Sequence, residues 1–239
     1  MDGLGNIMIL NLFTHLYVRR ILRFFVLSCM AITLPYILHA QKLVPVKIKL
    51  PYPMFVGTPK DFDVPNLEDP LGTPRPTFYA PAGTSNVALN MLVESSDNEP
   101  ITGDTELITD GDKEAYDGSF IELNPGKQYI TIDLEKTCEI YAVLIWHYHQ
   151  SARVYKDVIV QVSDDPDFII GVNTLFNNDN DNSSGLGVGK DLHYVETHEG
   201  KLIDGKGVHG QYVRLYSNGN TSNDFNHYIE VEVYGIPVK

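Results

Sequence analysis

Beyond about residue 85 the chain never sustains apolar residues at helical spacing. Instead it repeats short runs rich in Val, Ile and Tyr: "QYITIDL", "IYAVLIWHY", "VYKDVIVQVS", "VNTLF", "QYVRLYS" and "YIEVEVYG". The first alternates at period two, as a half-buried strand does. Loops full of Gly, Asn, Asp and Ser separate the runs. This texture predicts an all-β sandwich or barrel, and about 150 residues is ample for one such core.

The chain upstream is of two other kinds. Arg19, Arg20 and Arg23 precede "FFVLSCMAITLPYIL", an apolar run of 15 residues followed by "HAQ". A basic segment, a short apolar core and a small residue fit a secretory signal over residues 1–40 with an extended basic region, cut after Ala40. The run is short for a membrane span, which takes about 20 residues, so no membrane insertion is expected after cleavage. Residues 41–84 then hold nine of the fourteen prolines. Proline fixes φ and removes a donor, which rules out a helix or central strand there. Met54, Phe55, Val56, Phe62, Phe78 and Tyr79 are apolar enough to dock, so an extended arm partly packed on the following domain is expected. That domain spans residues 85–239.

Charge and cysteine narrow the function. The 239-residue chain carries a formal net charge of −13. Phosphate binding wants a basic stripe, so nucleic acid is excluded as a partner. Two cysteines exclude a disulfide framework and a four-cysteine zinc site.

The order of "NVALNMLVESSD", "ELITDGD", "QYITIDLEKTCEIYAVLIW", "RVYKDVIVQVSDDPDF", "GQYVRLYSNGN" and "YIEVEVYG" resembles the discoidin family, the coagulation factor 5/8 type C domain, over about residues 85–237. The resemblance implies a galactose-binding-like fold, an eight-stranded jelly-roll β-sandwich. The terminal disulfide of many eukaryotic members has no counterpart here, so the chain is more similar to the bacterial carbohydrate-associated branch. The resemblance also implies one structural calcium, shared by a "DG" turn and a Glu at the start of the last strand. Those positions fall on Asp110, Asp112 and Glu230, with Asp117 or Ser119 in place of the family's threonine. The residues alone allow the same reading, since hard cations take carboxylate and carbonyl oxygens. A solvated acidic turn is the alternative. A second acidic loop, "FNNDNDNSSGLGVGKD", holds Asp179, Asp181 and Asp191; it reads as a long inter-strand loop, with a further cation as the other possibility.

Sugar rings present C–H faces to aromatics and hydroxyls to planar polar groups. Tyr148, His149 and Arg153, near the end of the "IYAVLIWHY" run, offer such groups. Asn218, Asn220 and His227, in and beside the amide-rich "SNGNTSNDFNHY", offer more. Amides also serve a loop's own turns. On a strand His147 and His149 would share a face, which a metal-dependent enzyme or copper site could use with His227 or Asp224. No nucleophile elbow or H-E-x-x-H motif is present. The reading is therefore a non-catalytic, secreted, periplasmic or cell-surface module. Its expected partner is a glycan or polysaccharide, with envelope or matrix proteins in an adhesion or scaffolding role as the alternative.

Overall fold

The structure is a computed structural model that describes residues 41–59 and 62–239. The expected signal segment over residues 1–40 lies outside them. Lys42–Lys239 cluster as one unit.

The arm contributes β1 (Leu43–Pro45) and β2 (Tyr79–Pro81), paired antiparallel. The body follows with β3 (Ser85–Asn86), β4 (Val93–Ser95), a 3-10 turn over Thr105–Thr109, β5 (Ile121–Leu123), β6 (Gln128–Trp146), β7 (Ile159–Ser163), β8 (Asn173–Asn177), β9 (Lys201–Ser217), β10 (Asn226–Tyr228) and β11 (Glu230–Pro237). The fold is the expected all-β sandwich. From β3 onward it has nine strands rather than eight, because Ile229 divides the last run into β10 and β11. β5 and β10 form their own ribbon, and the other seven body strands share one antiparallel sheet.

Two long strands organise that sheet. β6 pairs with β9 along its length, and on its other edge with β4 at the front and β11 at the back. The β6–β9 register shifts between Asp133 and Cys138 and between Ile140 and Ala142. Glu135 and Lys206 take left-handed φ of 64° and 51° beside those shifts. Such bulges bend and twist a sheet. The bent sheet brings Ile130, Ile132, Val143 and Ile145 of β6, Val160 and Val162 of β7, and Val231 and Val233 of β11 into one buried core. Each such side chain contributes roughly 1.5–3 kcal/mol.

The front half of β9, "KLIDGKGVHG", carries three glycines. Its glycines are there for close approach. A Cβ at Gly205 would lie 2.6 Å from the Ile140 carbonyl oxygen, and one at Gly210 would collide with Val162.

The outer face of β6 is also apolar. Ala142, Leu144 and Trp146 point away from the main core and form a second cluster with Ala115, Ile229 and Tyr234. Val46, Ile48, Met54 and Phe78 of the arm cover it. This is why "YAVLIW" is apolar on both faces. Trp146 is fully buried and donates from Nε1 to the His198 carbonyl at 2.9 Å. By contrast Val56 and Tyr79 of the arm are exposed. Among the described residues no helix is long and apolar enough to cross a membrane.

Candidate functional site

Three loops meet at one end of the sandwich: 147–158 between β6 and β7, 178–200 between β8 and β9, and 218–225 between β9 and β10. The first and third are stitched together by backbone. Lys156 N donates to Gly219 O, Asn218 N to Lys156 O and Thr221 N to Val154 O, at 2.9–3.0 Å. The arm is stitched to the second: His193 N donates to Asn66 O, Glu68 N to His193 O, and the Asn66 amide to Asn180 Oδ1. Between them lies a cavity of about 930 Å³. Phe62 and Val64 of the arm, Lys156, Asp157, Asp181 and Asn218 are among its lining residues. That volume lies within the range of small-molecule sites.

The amide-rich loop largely builds itself. The Asn220 side chain donates to Asn223 Oδ1 and Phe225 O and accepts from Ser222 N and Asn223 N. Buried Asn226 accepts from Gly219 N and donates to the Asn124 and Gly126 carbonyls. Asn218 reaches across to Asp157 Oδ2 at 2.8 Å. The loop is held from within, and its outer rim faces the cavity.

Of the six residues proposed to grip a sugar, Asn218 and Asn220 line this cavity and the other four do not. β6 ends at Trp146, and the chain beyond it turns over the core instead of continuing the strand. Arg153 and His227 are buried, and the half-buried Tyr148 ring packs against both. The Arg153 guanidinium stacks 4.4 Å from the Tyr148 ring centre, and Phe120 meets Tyr148 edge-on. Burial lowers the His227 pKa to about 3. Its neutral ring donates from Nε2 to Glu122 and accepts at Nδ1 from the Tyr155 hydroxyl. His149 is fully buried and donates from Nε2 to the Lys113 carbonyl at 2.9 Å. His147 is held by Glu196 at 2.7 Å and stacks on Tyr155. No third ligand joins His147 and His149: among the described residues, the only ligand-sized group of three is Asp157, Asp179 and Asp181.

Two of the three, Asp157 and Asp181, line the cavity, and Asp179 is fully buried beside them. The three carboxylates offer oxygens all within 4.8 Å of one another. Asp157 accepts from Ser183 Oγ and Asn218, while buried Asp179 accepts from the backbone and hydroxyl of Ser184. The sequence shows Asp179 and Asp181 as loop acids, but their meeting with Asp157 is non-local and has no sequence signal.

The predicted calcium turn meets Glu230 through its backbone, while the carboxylates of Asp110, Asp112 and Glu230 do not converge as one ligand group. Gly111 N donates to Glu230 Oε2 at 3.1 Å. Asp110 Oδ1 caps Asp112 N, and Asp112 accepts from Glu114 N and Ser119 Oγ. Glu230 is fully buried, and its Oε1 has no partner. Burial pushes its pKa up to about 9, against the Gly111 N–H and the Lys113 ammonium. A buried carboxylate oxygen without a partner fits an oxygen-seeking cation. Asp117 is exposed and lies within electrostatic reach of Tyr148. Lys113, which the sequence reading missed, is buried with its ammonium 2.8 Å from Glu232.

No family model matches the sequence, and no curated protein does. Solved structures do. A family 89 glycoside hydrolase from Clostridium perfringens aligns at 17% identity and TM-score 0.48, over 64% of this chain but only 15% of the hydrolase. A Streptococcus pneumoniae fucose binding module aligns at 20% identity and TM-score 0.45, over 63% of this chain and 97% of the module. A chitosan-binding module of a Paenibacillus chitosanase/glucanase aligns at 18% identity and TM-score 0.44, over 64% and 99%.

Proposed function

We propose that the chain is a non-catalytic glycan-binding module that holds a sugar in the loop-end cavity. The observation carrying this reading is the cavity itself. It is a cleft of about 930 Å³ at the end of the sandwich, walled by an aromatic ring, amides, hydroxyls and carboxylates. A ring for the C–H face and fixed polar groups for the hydroxyls are what sugar recognition needs. Phe62 supplies the first, and Asn218, Thr221 and Asp181 supply the second.

A calcium ion at the other carboxylate corner is the second part of the proposal. Glu230 would hold it through the free Oε1, with Asp110 and Asp112 on the facing turn. The ion would be structural, fixing the start of β11 and so the β10 ribbon beside the amide loop. On the export reading of residues 1–40, the module works outside the cytoplasm, at a surface or in a matrix.

Affinity electrophoresis through a panel of polysaccharides, with calcium and with a chelator, tests the reading. Retardation on at least one glycan is expected. One shallow site binding at millimolar strength corresponds to about −4 kcal/mol. Unretarded migration through every polysaccharide would reject the sugar reading. Elemental analysis finding no calcium after dialysis against calcium buffer would reject the ion.

A further inference from the structure

The corner at Glu230 already holds a cation of the chain's own. Lys113 is buried there, with its ammonium 2.8 Å from Glu232 Oε1 and donating to Gly111 O at 3.4 Å. The Tyr234 hydroxyl donates to the other Glu232 oxygen at 2.7 Å. Both oxygens of Glu232 are thus engaged, whereas Glu230 keeps a buried Oε1 with no partner. Glu230 and Glu232 stand two apart on β11 and so share one face of the strand. Gly111 links the two sides of the corner: its N–H donates to Glu230 Oε2 while its carbonyl accepts from Lys113. The ammonium is near enough to Glu230 to favour the ionised carboxylate, and it lies 5.4 Å from the centre of the Trp146 ring.

A calcium ion takes about six to eight oxygens, backbone carbonyls among them. Lys113 occupies two oxygens that this corner could give to an ion, Gly111 O and Glu232 Oε1. It also sets a full positive charge beside the free Glu230 oxygen. Buried like charges repel far more strongly than exposed ones, because neither solvent nor salt screens them well.

We infer that Lys113 is a built-in competitor of calcium at this corner: ammonium and ion contend for the oxygens between the 110–112 turn and β11, and the lysine sets how weakly calcium binds. This rests on the calcium reading of Glu230 and adds the residue that tunes it.

Calorimetric titration of the full chain with calcium chloride tests it, with Lys113→Gln, Lys113→Met and Lys113→Arg beside the parent. Gln keeps a donor for Glu232 without the charge, and Met keeps an unbranched side chain with neither. Each of these two that folds should bind calcium about tenfold tighter than the parent, or more. Arg keeps the charge and should gain nothing. A purely structural lysine predicts the reverse order, since its loss would loosen the corner and weaken the ion. The parent gives a check that needs no substitution. Trp146 is the only tryptophan, so its emission should change as calcium displaces the ammonium from beside the ring. Calcium affinity no better than the parent's in the folded uncharged variants, or unchanged parent emission at saturating calcium, would overturn the inference and leave the calcium reading standing. No calcium binding by the parent or any variant would overturn both.

Discussion

Glu230 and His227 sit three residues apart, and burial shifts both towards their neutral forms. For Glu230 the folded state holds its proton up to about pH 9, whereas the ordinary value is 4.5. Its stabilising contribution is full below the lower value and is lost as pH rises through the higher one. For His227 the ordinary value of 6.5 falls to about 3. Its contribution is full above 6.5 and is lost as pH falls towards 3. Metal-free protein should thus hold its melting temperature between about pH 4.5 and 6.5, where the two trends cancel, and lose it on either side. Calcium, by binding the ionised carboxylate, should remove the alkaline decline and leave the acid one. At a hundred times its dissociation constant the ion adds about 2.7 kcal/mol, or roughly 5–10 °C in a domain of this size. Melting curves from pH 4 to 9, with calcium and with chelator, check this. Glu230→Gln should melt the same in both buffers. Lys113 shows a limit of sequence reading at this scale. Nothing in "DGDKEA" signals a buried ammonium, because its partner Glu232 is 119 positions away.

At the scale of elements, the loop 218–225 and the arm carry the predictions. Asn220→Ala removes the four hydrogen bonds that close the loop. Stability should fall by about 1–3 kcal/mol, and sugar affinity should fall with it, because the rim loses its brace. The arm matters because Trp146, the only tryptophan, lies beneath Met54 and Phe78. Phe78→Ala should cost about 1–3 kcal/mol for a partly buried ring and shift tryptophan emission to the red. An unchanged spectrum would mean that the arm does not cover β6. Gly210→Ala should destabilise by crowding Val162. The regular alternation of "QYITIDL" and "YIEVEVYG" made those strands legible. The front of β9 was hidden, since close approach demands glycines and glycines read as loop. The Tyr148–Arg153 cluster lies away from the cavity for a related reason. Alternation in the sequence runs past Trp146, but the strand stops there, and the polar residues beyond it turn inward to one another.

For the whole molecule, one curved sheet places two acidic features at its rim: the Glu230 corner and the loop-end cavity. They share a chemistry, since each gathers carboxylates from distant parts of the chain. The likeness of order to discoidin domains led to the first. The second needed coordinates, because Asp157, Asp181 and Asp224 come from three different loops. A net charge of −13 adds a long-range field that draws cationic ligands and weakens with salt. The central claim is that sugar enters between those loops and the arm. Amide chemical-shift mapping of the isotope-labelled chain during titration with a glycan that retards it in affinity electrophoresis tests it most directly. The account predicts saturable shifts confined to residues 62–66, 154–157, 180–193 and 218–224. Shifts centred on another face of the sandwich, or none at millimolar sugar, would contradict it.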